Sequence, residues 1–196
     1  MNPAQEVDLV FWYILGISAI LLVAITAAMV FFVVKYRRSK HPVPADIRDN
    51  WKLEIAWTII PTIIALSMFV VGWKAYVGLR NAPEDALTIQ VFAQQFSWIF
   101  VLPNEKEVED ELVVPLGKSI KLELNSEDVL HGFSLPAFRI KVDVVPGMQT
   151  EAWFKADQLG TFAIHCTEYC GEHHAGMRGT LRIVPEEEYL TWLEED

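Results

Sequence analysis

The chain has 196 residues, of which 52% are hydrophobic, and a formal net charge of −10. That length holds one domain of ordinary size plus an additional part, and the apolar excess assigns the additional part to a membrane. The acidic balance disfavours a nucleic-acid role, which needs basic residues for the phosphates.

Val10 to Val34 contains no charged residue. As a helix at ~1.5 Å per residue it reaches about 37 Å, enough to cross a hydrocarbon core of ~30 Å. Ile55 to Trp73 is a second uncharged stretch, with Pro61 inside it; a membrane helix tolerates proline where neighbouring groups satisfy the freed carbonyl. The loop between the two carries Lys35, Arg37, Arg38, Lys40, Arg48 and Lys52 against Asp46 and Asp49. The positive-inside rule places that loop in the cytoplasm and both termini outside. The first span lacks a basic leader and runs into lysine and arginine, so it is expected to stay as an anchor rather than leave as a signal peptide. Residues 1–78 are therefore expected to form a transmembrane hairpin with a cytoplasmic loop at 35–52, and residues 79–196 an extracytoplasmic domain. After Glu54 there are ten basic and twenty-one acidic residues. This surplus would attract a basic soluble partner or only keep the domain soluble.

From Thr88 onward short strand-like segments alternate with turn signals. The expected strands are 88–101, 112–114, 119–124, 132–135, 149–155, 161–165 and 179–184, followed by a short helix over 186–193 that opens after Pro185 with acids in its first turn. This pattern predicts an all-β sandwich or barrel with a short C-terminal helix.

The stretch from Cys166 to Met177 holds both cysteines of the chain, two of its five histidines and a methionine within twelve residues. Thiolate, imidazole and thioether form a soft ligand set that favours copper. A copper-binding β domain would need a further histidine upstream, and His131 is the candidate. Two cysteines with three residues between them, together with two histidines, suit a dinuclear site bridged by both sulfurs. A disulfide and a zinc site remain alternatives, as does a helix face through Cys166, Cys170, His174 and Met177, which Gly171 and Gly176 oppose.

The run Cys-x-Glu-x-Cys-Gly-x-x-His-x-x-Met, with Leu130-His131 ahead of it, resembles the dinuclear copper motif of subunit II of haem-copper cytochrome c oxidases. The resemblance extends to Leu53-Glu54-Ile-Ala-Trp57-Thr-Ile-Ile-Pro61, Ser126-Glu-Asp-Val-Leu-His131, Lys141-Val-Asp143, Pro146-Gly147 and Val184-Pro185. It implies a cupredoxin-like Greek-key domain after the membrane hairpin, in a prokaryotic cytoplasmic (inner) membrane. It also implies two copper ions bridged by Cys166 and Cys170, one imidazole each from His131 and His174, and weak ligands from Met177 and the Glu168 carbonyl. The Glu168 side chain would reach a magnesium ion shared with the catalytic subunit, and Glu54 would stand near the mouth of a proton path. His173 competes chemically with His174, but the motif's spacing selects His174; His165 is expected to pack or hydrogen-bond.

Where the family receives electrons at a tryptophan, this chain has Phe96, and Trp98 matches the second tryptophan of that run. No haem-attachment signature is present, so the donor is expected to be a separate c-type cytochrome or similar carrier, and haem to belong to the catalytic subunit I. The implied function is that of the subunit through which electrons reach a terminal oxidase, with oxygen reduced elsewhere in the complex and further oxidase subunits as partners. Two other readings stay open: the copper-bearing subunit of a related nitric oxide reductase, and a membrane-tethered copper-binding or delivery module.

Overall fold

The computed structural model describes residues 2–43 and 45–195. It divides into two compact units, residues 8–74 and residues 2–7 with 75–195. The first unit contains most of α1 (Pro3–Lys35) and α2 (Trp51–Arg80) and the segment that joins them. Their most apolar windows have mean hydropathies of 2.8 and 2.1, and no residue in either window is buried. Helices that are apolar on all sides and this long can cross a membrane. Between them, the Tyr13 hydroxyl and Ser67 Oγ lie 2.7 Å apart, a polar link of the kind that joins helices in lipid. Asn50 caps α2, its Oδ1 accepting from the Leu53 N–H at 3.2 Å. Around Pro61, the hydroxyls of Thr58 and Thr62 turn back onto the carbonyls of Glu54 and Thr58 at 2.8 and 2.6 Å.

The second unit is a sandwich of two five-stranded sheets among the described residues. Its strands are β1 (Leu87–Gln94), β2 (Ser97–Val101), β3 (Glu107–Glu109), β4 (Glu111–Pro115), β5 (Ser119–Ser126), β6 (His131–Leu135), β7 (Ile140–Val144), β8 (Thr150–Lys155), β9 (Gly160–Cys166) and β10 (Arg178–Val184). One sheet runs β3-β2-β1-β5-β8 and the other β4-β10-β9-β6-β7. The pairs β1·β5 and β4·β10 are parallel. The segment expected as one strand over 88–101 is instead the hairpin β1–β2, turning at Gln95-Phe96. β3 and β7 had no expected counterpart.

Alternate residues of the strands meet between the sheets, as the period of two requires. Ile89, Val91 and Ala93 from β1 face Leu181, Ile183, Phe133 and Ile164 across a core that Phe100, Phe138 and Phe154 fill. Each fully buried side chain of this size contributes ~1.5–3 kcal/mol. A smaller cluster seats α3 (Glu186–Glu194), with Tyr189 and Trp192 against Leu102, Val113 and Val184. Lys106 lies over the Trp192 ring at 4.6 Å and donates to the Trp192 carbonyl at 2.7 Å, satisfying an acceptor that the end of a helix leaves free. Two contacts tie chain segments outside the sandwich to its surface. Trp153 Nε1 donates to the Gly78 carbonyl at 3.0 Å, and Asn2 Nδ2 to Asp157 at 2.6 Å.

Candidate metal centre

Strand pairing brings together donors that lie far apart in the chain. β6 opens with His131, β9 ends with Cys166, and the two strands are antiparallel neighbours with Phe133 opposite Cys166. The chain then crosses over β6, where the Thr167 N–H donates to the Gly132 carbonyl at 2.9 Å. It continues as a loop through Cys170 to a single 3-10 turn at His174–Gly176 and enters β10 just after Met177. The Cys166 N–H donates to the Met177 carbonyl at 3.3 Å and closes the loop. This path is not a helix face.

Six donor atoms converge there. Cys166 Sγ lies 3.8 Å from Cys170 Sγ, 3.8 Å from His131 Nδ1 and 3.3 Å from the Glu168 carbonyl. Cys170 Sγ lies 3.5 Å from His174 Nδ1 and 3.7 Å from Met177 Sδ. The ligand atoms of His131, Cys166 and Cys170 all fall within 4.8 Å of one another. Both cysteines are free thiols, far from the ~2.05 Å of a disulfide. His131, Cys166, Cys170 and Met177 are buried, whereas His174 is half-buried and stands at the surface beside the Tyr169 ring.

Neighbouring groups fix this set. Asp128 Oδ1 lies 2.7 Å from His131 Nε2; the bond assigns the proton to Nε2 and leaves the Nδ1 lone pair facing the sulfurs. Burial alone would raise the Asp128 carboxyl, but bonds from His131 and from the Val129 and Gln95 N–H groups hold it below the usual range. Trp98 packs edge-on against the His131 ring at 6.2 Å and against Phe133 at 5.2 Å. Burial, with the bond and charge of Cys166, pushes the Cys170 thiol up to about 11. A bound cation would therefore have to draw a proton from it at neutral pH. Gly132 admits the crossing loop, since a Cβ there would come within 2.5 Å of Thr167 Oγ1 and 3.0 Å of the Glu168 nitrogen.

The remaining residues singled out from the sequence lie in three places. Phe96 is half-buried at the tip of the β1–β2 hairpin, its ring 5.3 Å from that of His173, so the two adjacent histidines face different neighbours. Trp98 is fully buried and out of reach of any molecule docking on the surface. Glu54 is exposed in the first turn of α2 and belongs to the other unit. His165, on β9, pairs opposite Arg178 and is not among the converging donors. The Glu168 carboxylate turns away from the sulfurs to Lys141 Nζ at 2.9 Å. Sequence reasoning missed Asp128 as the partner of His131, and it missed Gln95, Gly132 and Lys141 as supports. An Asp three residues before a candidate ligand histidine is the signal that could have found the first.

The family model for the periplasmic domain of cytochrome c oxidase subunit II matches residues 87–184, and the model for its transmembrane domain matches residues 2–73. The chain belongs to the cytochrome c oxidase subunit II family. It is thus a membrane subunit of an oxidoreductase complex, in a family that carries a copper centre. It is similar to cytochrome c oxidase subunit 2 of Cereibacter sphaeroides, 29% identical across 98% of this chain and 76% of the relative. The corresponding subunit of Alkalihalophilus pseudofirmus is 35% identical across 92% of this chain and 56% of the relative. Among solved structures, the periplasmic domain of subunit II from Bradyrhizobium japonicum is 34% identical, with a TM-score of 0.56 over 58% of this chain and 95% of that one. A second subunit II structure, 35% identical with a TM-score of 0.53 over 58% of this chain and 93% of that one, was caught as a mixed disulfide with a thioredoxin-like protein. The sandwich is accordingly the cupredoxin-like domain of the subunit II family. Its two thiols, thioether and two imidazole nitrogens are a soft donor set that fits copper.

Proposed function

We propose that the chain receives electrons for a haem-copper cytochrome c oxidase, from a c-type cytochrome, at two copper ions held by His131, Cys166, Cys170, His174, Met177 and the Glu168 carbonyl. The observation that carries this reading is the convergence of those six donors with both thiols unbonded to each other. Half the sulfur separation is shorter than a metal–thiolate bond of ~2.3 Å. Cys166 and Cys170 would therefore be able to hold the same ions between them, together with His131 and His174. When bound, the copper pair supplies a one-electron acceptor and donor whose charge is shared through both sulfurs.

The chain's own residues supply the rest. Asp128 keeps the proton of His131 on Nε2, and Trp98 packs against the fully buried ring. Phe96 offers an aromatic contact to the donor. Glu105, Glu107, Glu109, Glu111 and Glu127 supply the negative field that draws in a lysine-rich carrier. Haem and oxygen reduction belong to the catalytic subunit I, against which α1 and α2 pack, so this subunit is not itself catalytic. The basic loop between them lies in the cytoplasm and the sandwich outside. Glu54 then stands at the cytoplasmic end of α2, where it can serve a proton path into the catalytic subunit. A magnesium ion shared with that subunit would take the Glu168 carboxylate in competition with Lys141. The relative trapped with a thioredoxin-like protein supports a preparatory step here too, in which such a dithiol protein reduces an oxidised Cys166–Cys170 pair before metal arrives.

Metal analysis of the purified complex tests the reading. The expected result is two copper ions per chain and a thiolate-to-copper absorption that bleaches on adding reduced cytochrome c. Metal-free protein with Cys166 and Cys170 joined in a disulfide would overturn it.

A further inference from the structure

The β1–β2 hairpin tip touches both ends of the donor set. It turns without glycine, closed by the Gln94 side chain donating to Ser97 Oγ at 3.2 Å. The Gln95 backbone N–H donates to Asp128 Oδ2 at 2.7 Å, and the other oxygen of that carboxylate holds His131 Nε2 at 2.7 Å. The Gln95 side-chain Nε2 donates to the Cys170 carbonyl at 2.5 Å. Gly171, at φ +143°, makes room for this approach, because a Cβ there would lie 2.8 Å from Gln95 Nε2 and 3.0 Å from the Phe96 ring.

We propose that Gln95 is a positioning residue of the metal centre, joining the aromatic tip to His131 through Asp128 and to Cys170 through its carbonyl. Holding the Cys170 carbonyl restrains the backbone of that residue, and so the place from which its sulfur reaches the other donors, on a loop that has little regular structure of its own. Through one residue the strand-borne and loop-borne donors are held in register with each other and with Phe96, before metal arrives. The inference rests on the copper reading above.

The test uses the assembled oxidase with Gln95→Met, which keeps length and removes the amide, and Gln94→Met as a control. Gln94 braces the same hairpin but is not bonded to the metal loop. Loss of one outer-shell partner costs 10–100-fold in metal affinity. Gln95→Met should therefore surrender copper to a chelator about tenfold faster than wild type and shift the thiolate-to-copper absorption, while Gln94→Met changes the rate less than about twofold and leaves the band in place. Gln95→Asn, which withdraws the amide by one methylene, should fall between them and carries the test if Gln95→Met does not assemble. Copper retention and spectrum like wild type in the Gln95 variants would overturn the proposal. So would an equal effect in Gln94→Met, which would assign the loss to hairpin stability. Wild-type complex without copper would instead overturn the metal reading itself, an outcome seen before any variant is made.

Discussion

The two halves of the donor set are built differently. His131 and Cys166 sit on paired strands in the sandwich, with the imidazole fully buried between Trp98 and the Asp128 carboxylate. Cys170 and His174 sit on a loop and a single 3-10 turn, and His174 is partly open to the surface. A strand-borne donor is placed by the whole sheet, so its geometry is as rigid as the core. A loop-borne donor is placed by a few local bonds, so it can yield when metal enters or partners dock. The difference teaches that half of this centre is a by-product of folding and half must be held by dedicated contacts.

On the proposed reading of two copper ions bridged by both cysteines, removing either sulfur should erase that asymmetry altogether. Cys166→Ser and Cys170→Ser should each lose both copper ions and bring cytochrome c oxidation below about 1% of wild type, a larger loss than the 10–100-fold of an outer-shell change. Copper analysis and turnover of the purified complex check this. A variant that kept full turnover would break the bridging assignment.

The histidines should separate the halves. His131→Ala opens a hole in the core and strips Asp128 of a donor, so the apo protein should lose about 1–3 kcal/mol. His174→Ala, at the surface, should leave apo stability within about 0.5 kcal/mol, although both variants should bind copper poorly. Denaturant unfolding of the two apo proteins measures the contrast. Equal destabilisation would mean that the loop is as much a part of the core as the strands.

The same division explains what could be read from the chain alone. The Cys166 to Met177 run was legible because its chemistry is contiguous: soft donors of three kinds in one loop have few other uses. His131 was found by need, as the histidine an upstream strand had to supply. The Gln95-Phe96 turn was hidden inside an expected strand, since it has no Gly, Pro or Asn to mark it and is held by Asp128 and the Cys170 carbonyl, contacts that exist only in the folded state. β7 was missed because its start is set by Arg139 in the left-handed region at φ 57°, an unusual residue for that conformation. β3 was missed because its glutamates have little strand propensity of their own, and their pairing with β2 comes from the sheet.

Titration should sharpen the contrast further, from the alkaline side for the loop half. Burial raises the Cys170 thiol from 9.0 to about 11, so the unfolded chain ionises first. The contribution of this group to apo stability is complete below pH 9 and is lost as the pH rises toward 11, by up to about 1.4 kcal/mol per pH unit. Unfolding of the reduced apo protein should show this decline, and Cys170→Ser should flatten it. A decline unchanged in that variant would place the titrating group elsewhere.

The strand half should respond at the opposite end, and more weakly. The Asp128 carboxyl lies below its ordinary 3.8 despite partial burial, because N–H groups of His131, Val129 and Gln95 all donate to it. A depressed carboxyl favours the fold above the unfolded value and ceases to do so as the pH falls through the folded value. Asp128→Asn should therefore cost apo stability at neutral pH but progressively less below about pH 4, where wild type loses the same bonds. The variant keeps one oxygen, which can accept from the His131 side or from the Gln95 N–H but not from both, and it opens no hole in the core, so its neutral-pH loss should be smaller than that of His131→Ala. If Asp128→Asn instead matched His131→Ala, the carboxylate charge rather than the strand placement would be what fixes the imidazole, and the buried half would depend on local contacts as much as the loop does.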